Sequence, residues 1–332
     1  MSVVLEFTTI FVEQLQSPTL AFLLGGMLLA ALGSRLEIPD AVYQFIVLVL
    51  LLKIGIGAGM AIREADLADM ALPALAAAGL GVAIVLLARV TLVALPGLRR
   101  EDGLATAGLF GAVSASTLAA GMVMMDEAGR SYEAWVPALY PFMDIPALLT
   151  AIVLAQMARA RAGGGGAVNI RRLLIDALRG SALSALLLGV VLGMLARPDP
   201  VYASFYDPLF RGFLSILMLV MGMEAYARLA ELRGVAHVYA VYGIVAPFVH
   251  GALGFAAGYG LHLLTGFSAG GAVMLAVMAA SSSDISGPPT LRMAIPQANP
   301  AVYIGTSTGL GTPVALLSIP LWMALAEMVF TP

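Results

Sequence analysis

Two short runs of hydroxylated residues, "VSAST" (113–117) and "SSSDISGPP" (281–289), interrupt segments that are otherwise apolar. Ser114, Ser116 and Thr117 in the first, and Ser281, Ser282 and Ser283 in the second, can donate or accept hydrogen bonds. A lone serine in a membrane helix usually bonds its own backbone or joins two helices. Three in succession beside Asp, Gly and Pro-Pro point to a binding segment. Neither run contains Lys or Arg. An anion held there is therefore small, of modest charge, and bound by neutral hydroxyls and by the free N–H groups at the start of a half-helix.

Asp144 and Asp284 are the carboxylates expected inside apolar spans. Each costs roughly 2.5–3.5 kcal/mol at the centre of a membrane helix, so each needs a partner or a role. Asp144 lies in "LYPFMDIPALL", between Pro141 and Pro146, and is expected beside broken backbone. A carboxylate surrounded by carbonyls and hydroxyls is a hard oxygen site, suited to Na⁺ or a proton; helix capping is the plainer use. Na⁺ beside the anion would offset its charge and lower its desolvation cost, which is a physical basis for coupled movement. The Gly and two Pro of the second run are expected to hold the helix open there.

Other chemistry is sparse. Cysteine is absent, which excludes disulfides and thiolate sites. His237, His250 and His262 are scattered, without metal-ligand spacing. Lys53, the single lysine, lies mid-span in "LLLKIGIGAGM", as a counter-ion or a structural partner. Arg89 is expected to snorkel from a span end. "ILMLVMGM" (216–223) reads as packing. The net charge of −3 and the lack of a basic stripe with interleaved aromatics give no sign of nucleic-acid binding. An intramembrane aspartyl protease also needs two carboxylates, but the Gly-x-Gly-Asp pattern of such enzymes is missing.

The elements that must position these residues are membrane helices. The 332-residue chain is 61% hydrophobic and 11% charged, with mean hydropathy +0.96; soluble proteins carry about 25% charged residues. Apolar windows predict an all-α polytopic membrane protein with about ten spans: 17–33, 41–61, 70–95, 103–124, 134–158, 178–196, 208–225, 236–264, 270–290 and 301–328. The N-terminal "MSVVLEFTTIFVEQLQSP" has no basic n-region and reads as a short interfacial helix, not a cleaved signal. The connection 157–180 holds four successive glycines and five arginines. The positive-inside rule makes it cytoplasmic. Arg35, Arg99, Arg100, Arg228, Arg233 and Arg292 then fall inside, Arg63, Arg130, Arg197 and Arg211 outside, and both termini lie outside.

The halves resemble each other. "TLAFLLGGMLLAALG" (19–33) parallels "LSALLLGVVLGML" (183–195), "GIGAGMA" (55–61) parallels "MLVMGMEA" (218–225), "GAVSASTLAAG" (111–121) parallels "MAASSSDISG" (278–287), and "MDIPALL" (143–149) parallels "LGTPVAL" (310–316). Thr117 to Pro146 and Asp284 to Pro313 both span 29 residues. Five spans per copy is odd, so the copies are inverted: residues 1–160, a linker 161–177, and residues 178–332. Inverted repeats recur in secondary transporters, whose substrates sit near the midplane between interrupted helices. Thr117 stands where the second copy has Asp284, leaving one carboxylate at the crossing, with Asp144 as a possible second.

"LQSPTLAFLLGGMLLAALGS" (15–34), "GLFGAVSAST" (108–117), "YEAWVPALYPFMDIPAL" (132–148), "SFYDPLFRGFLSILMLVMGMEA" (204–225) and "AASSSDISGPPTLR" (279–292) closely resemble the SbtA family of Na⁺-dependent bicarbonate transporters. The resemblance covers nearly the whole chain. It implies two inverted five-helix repeats with broken fourth and ninth helices, core and gate domains, a homotrimer, and elevator-like symport into the cell across the cytoplasmic (inner) membrane. It places bicarbonate and Na⁺ at the crossing of those broken helices, which here carry "VSAST" and "SSSDISG"; together with the residue reading above, bicarbonate is expected at Ser114, Ala115, Ser116, Thr117, Ser281, Ser282 and Ser283, and the coupling ion Na⁺ at Asp144, Asp284 and Ser286. A PII-like regulator, SbtB, would dock on the cytoplasmic face. The linker departs from the cyanobacterial pattern, being short and Arg/Gly-rich where those members carry a longer Lys-rich loop. A cation/proton antiporter, or a Na⁺ symporter of another small anion, is the alternative; the serine runs are surplus to the antiporter.

Overall fold

The computed structural model describes residues 17–161, 171, 175, 178–232 and 237–330. The expected interfacial helix at the N-terminus and most of the 161–177 linker lie outside the described residues. Within them every regular element is helical. The order is α1 (Pro18–Ala31), α2 (Asp40–Glu64), α3 (Leu67–Thr91), α4 (Arg100–Gly111), α5 (Ala115–Glu127) and α6 (Tyr140–Arg161), then α7 (Ser181–Leu195), α8 (Asp207–Leu232), α9 (His237–Thr265), α10 (Ala269–Ala280), α11 (Gly287–Ala294) and α12 (Thr312–Phe330). A 3₁₀ turn, Val136–Leu139, leads into α6. A π-helical stretch, Tyr202–Tyr206, leads into α8, and another, Gly305–Gly311, joins the short helix Pro300–Ile304 to α12.

Seven helical stretches among the described residues are long and apolar enough to cross a membrane, one of them, Arg100–Glu127, being α4 and α5 with the short break between them, and α1, α7 and α10 are shorter apolar helices. With water absent from hydrocarbon, helices satisfy their backbone internally, which accounts for the all-helical architecture of this polytopic membrane protein. The ends follow capping chemistry. Ser17 caps α1 ahead of Pro18, Asp66 accepts from Ala68 N–H at 2.9 Å at the start of α3, and Ser268 accepts from Gly271 N–H at 2.9 Å at the start of α10. Ser268 is itself held by Glu133, which accepts from its N–H and its hydroxyl, both at 2.7 Å.

Two groups of helices pack differently. In the first, α1 lies on α8 and α2 on α7. Glycine permits this close approach: a Cβ at Gly26 would meet the carbonyl oxygen of Leu219, and one at Gly222 that of Leu23. Gly55 and Gly59 of α2 face Gly189 and Gly193 of α7 in the same way, and a Cβ at Gly189 would stand 3.0 Å from Gly55 Cα. Small residues at helix contacts favour association in lipid, where there is no hydrophobic force between helices. In the second group, α3, α4 and α6 pack together, as do α9, α10 and α12. The helix α8 meets this group chiefly along the π-helical Gly305–Gly311.

Two expectations need correction. The first break falls at Ala112–Ser114, so Ala115, Ser116 and Thr117 already belong to α5. Asp144 does not lie at a break in its own helix: α6 runs unbroken through Asp144 and Pro146 after the 3₁₀ turn Val136–Leu139. The Gly and two Pro lie just past the second break, and the prolines have no N–H to carry a helical ladder back across it. Gly287, Pro288 and Pro289 begin α11, where a proline's missing N–H costs nothing and its φ suits the helix.

Candidate functional site

The first break is short and its backbone is accounted for. Ala112 N–H returns to Gly108 C=O at 3.1 Å, closing α4. Val113 N–H donates to Asp144 Oδ1 at 3.0 Å, and Ser114 N–H to Ser281 Oγ at 3.0 Å. Ser114 then caps α5, its hydroxyl accepting from Thr117 N–H at 3.0 Å and lying 2.9 Å from Ser116 Oγ. Ser114, Ser116, Thr117 and Asp144 are all buried. Each backbone donor of this break has a partner, two of them from distant parts of the chain, as buried backbone requires.

The second break, Ser281–Ser286, is longer and less completely bonded. Ser281 ends α10 through its N–H to Val277 C=O at 3.1 Å, and its hydroxyl donates to Met278 C=O at 2.7 Å. Ser283 N–H crosses to Leu109 C=O of α4 at 2.8 Å. The hydroxyl of Ser283 accepts from Gly287 N–H at 2.9 Å and lies 3.1 Å from Ser286 Oγ. Among the described residues the N–H groups of Ser282, Ile285 and Ser286 have no hydrogen bond, and that of Asp284 reaches only its own carboxylate.

The two breaks hold each other: one N–H from each reaches an acceptor on the other half, Ser114 to Ser281 and Ser283 to Leu109. Beside that exchange, Ser116 of α5 donates its hydroxyl to Asp284 Oδ2. Asp284 Oδ1 and Thr117 Oγ1 are buried without a hydrogen-bond partner. The desolvation cost of such an orphan is about 1–3 kcal/mol. The N–H groups of Ala115 and Ser116, in the first turn of α5, have no intrahelical acceptor. A cavity of about 10 Å³, room for about one water, lies there among Ala115, Ser116 and Ile285 on one side and Leu50, Ile54 and Leu217 of α2 and α8 on the other.

The expected serines thus divide. Ser114, Ser116, Ser281 and Asp284 come together at the crossing. Ser282 turns toward the π-helical stretch, where Ser307 Oγ donates to it at 2.9 Å and Thr312 Oγ1 lies at 3.4 Å. Ser283 and Ser286 face Tyr140, whose hydroxyl is 3.3 Å from Ser286 Oγ. Asp144 sits on the first break through its bond to Val113. Sequence reasoning missed Tyr140, Ser307 and Thr312. The signal was the small polar run "GTSTGLGT" (305–312) within an apolar span.

Lys53 belongs elsewhere: Nζ is 3.4 Å from Asp207 Oδ1 and 4.2 Å from the Phe210 ring centroid. It is a structural partner between α2 and α8. Among the described residues no three His, Asp or Glu side chains gather as metal ligands. Chemically, the crossing offers neutral donors and one carboxylate with a free oxygen inside an apolar bundle.

Compared with known families, the chain matches the model described as the Na⁺-dependent bicarbonate transporter superfamily over residues 18–327. A comparison with curated proteins gives no match.

Proposed function

Because the chain belongs to the Na⁺-dependent bicarbonate transporter superfamily, we propose that it imports bicarbonate with Na⁺ across the cytoplasmic membrane at the crossing of its two helix breaks. One observation carries this reading: in the interior of an apolar bundle, Asp284 keeps a buried oxygen without a partner beside Thr117 Oγ1, also unpartnered, and the uncapped first turn of α5. Na⁺ suits the carboxylate oxygen, with the hydroxyl of Ser116 and nearby carbonyls completing an oxygen shell. Bicarbonate suits the neutral donors, namely the N–H groups of Ala115 and Ser116 and the hydroxyls of Thr117 and the serine run. Side by side, each ion offsets the other's charge, so each lowers the other's cost of leaving water. One Na⁺ with one monovalent anion would move no net charge, and the Na⁺ gradient alone would drive uptake.

The seven long apolar helices and three shorter ones supply ten crossings for two inverted five-helix repeats. The packing pattern supports that division. The pairs α1–α8 and α2–α7 exchange under the repeat, and so do the α3–α4–α6 and α9–α10–α12 groups. We take the first group as the gate and the second as the moving core. The cavity between Leu50, Ile54 and Leu217 and the first turn of α5 lies on the boundary along which an elevator would slide. The arginine distribution supports a cytoplasmic 157–180 connection with both termini outside.

The test is uptake of labelled bicarbonate into proteoliposomes with Na⁺ or K⁺ outside. Uptake should require Na⁺ and be competed by unlabelled bicarbonate; equal rates in the two salts would overturn the proposal.

A further inference from the structure

A second cavity, of about 370 Å³, opens where α3, α4 and α6 end together, and three arginines line it: Arg89, Arg100 and Arg161. Arg89 is in the last turn of α3, Arg161 in the last turn of α6, and Arg100 is the first residue of α4. The chain's other described cations are mostly committed to protein partners. Arg63 pairs with Asp199 at 3.3 Å, Arg211 with Asp126 at 3.1 Å, and Arg99 donates to Gln297 C=O at 2.7 Å while lying 3.9 Å from Asp102. The three cavity arginines pair with no carboxylate among the described residues. Asp102 is occupied, accepting from Asn299 N–H at 2.7 Å, and Glu101 is the remaining acid on that turn.

The helix dipole accounts for Arg89 and Arg161, which sit at C-terminal ends where cations are favoured. It does not account for Arg100, a cation at the positive N-terminal end of α4, whose cap makes no side-chain hydrogen bond. An anion between the three guanidinium groups resolves that arrangement. The rest of the wall is apolar, formed by Val93, Leu104, Leu154 and Met157. Free phosphate has no use for such a wall, whereas an acyl chain has. We propose that this cavity binds an anionic phospholipid, its phosphate between Arg89, Arg100 and Arg161 and its first acyl carbons along Val93, Leu154 and Met157. Basic pockets between membrane helices on the cytoplasmic side hold anionic headgroups by this chemistry. The inference is independent of which anion is transported.

The experiment uses the purified full chain and measures retained lipid by native mass spectrometry, offering phosphatidylglycerol and phosphatidylcholine with identical acyl chains. Phosphatidylglycerol should be retained in preference, and inorganic phosphate should not displace it. The preference should fall about fivefold for each arginine replaced in R89Q, R100Q and R161Q. The charge-conserving R89K/R100K/R161K variant should keep most of it, which separates lost charge from lost fold. Equal retention of the two lipids by the unaltered protein, an unchanged preference in R100Q and in the combined R89Q/R100Q/R161Q variant, or displacement by inorganic phosphate would each overturn the proposal. Na⁺-dependent uptake in phosphatidylcholine vesicles should survive the Gln substitutions, so failure of this site and failure of the transport reading are distinguishable.

Discussion

The two breaks occupy matching places in the two halves, yet they are built in opposite ways. The first is three residues long and every N–H in it is bonded, one of them to a carboxylate borrowed from α6. The second is six residues long, carries its own carboxylate in Asp284, and leaves three N–H groups, those of Ser282, Ile285 and Ser286, without a partner among the described residues. Its outer support comes from hydroxyls, Ser307 and Thr312, where the first break has Asp144. A buried group left unsatisfied costs free energy, so a protein that retains several in one place gains something there. On the transport proposal made above, the first break would act as a fixed frame, and the second as the side that adapts to bound ions.

The largest effect that separates the two should come from the carboxylates. Asp284→Asn removes the charge at the adaptive break and should lower Na⁺-driven uptake by about a hundredfold, about 2.7 kcal/mol, as read in proteoliposomes. Full Na⁺ activation in this variant would remove Asp284 from the cation site. Asp144→Asn keeps a carbonyl oxygen for Val113 N–H and should cost much less uptake. Asp144→Ala leaves that N–H orphaned and should destabilise the folded protein by about 1–3 kcal/mol, seen as a lower thermal midpoint. If Asp144→Asn abolished Na⁺ activation without loss of stability, Asp144 would be a ligand and the division between the breaks would fail.

A smaller difference lies within the serine run. Ser281→Ala deprives Ser114 N–H of its acceptor and should cost about 1–3 kcal/mol. Ser282→Ala loses hydroxyl contacts of 2.9–3.4 Å to Ser307 and Thr312 and a long bond of 3.4 Å to Ser307 C=O, a net loss of about 1 kcal/mol. Chemical denaturation of the two variants should rank them in that order, and the reverse order would show that the contact between breaks is not the stronger brace. The smallest effect concerns the caps. Ser114→Ala removes a bonded N-cap, worth about 1 kcal/mol. Ser286 makes no side-chain cap bond to α11, so Ser286→Ala should change thermal stability less than Ser114→Ala does.

Much of this arrangement was legible in the sequence, for a physical reason: hydrocarbon tolerates few polar groups, so the serine runs and the two aspartates stood out against their surroundings. What stayed hidden depends on contacts between distant segments. The start of α5 at Ala115 was readable in principle, since Ser114 is a favoured N-cap residue, but the hydroxyl run drew the break too far along the chain. Asp144 looked like part of a break because two prolines flank it. The helix carries Pro146 inside it and remains continuous, and only its bond to Val113 ties it to a break. Ser307 and Thr312 reach Ser282 because the chain adopts a π-helical stretch at Gly305–Gly311, where Gly311 lies against Phe110 and Ser282. Periodicity along one segment does not report such a close approach. Nor could spacing pair Lys53 with Asp207.

The most direct test of the contrast is hydrogen exchange at the two breaks, followed in the full-length protein with and without Na⁺ and bicarbonate. The amides of Val113 and Ser114 should exchange slowly in both conditions. Those of Asp284, Ile285 and Ser286 should exchange rapidly without ions and slow by at least about tenfold when both ions are present, since ion binding adds its stabilisation only to the bound state. Equal protection of the two breaks without ions, or protection by the ions that appears at Val113 and Ser114 and not at Asp284–Ser286, would contradict the assignment of the site to the second break.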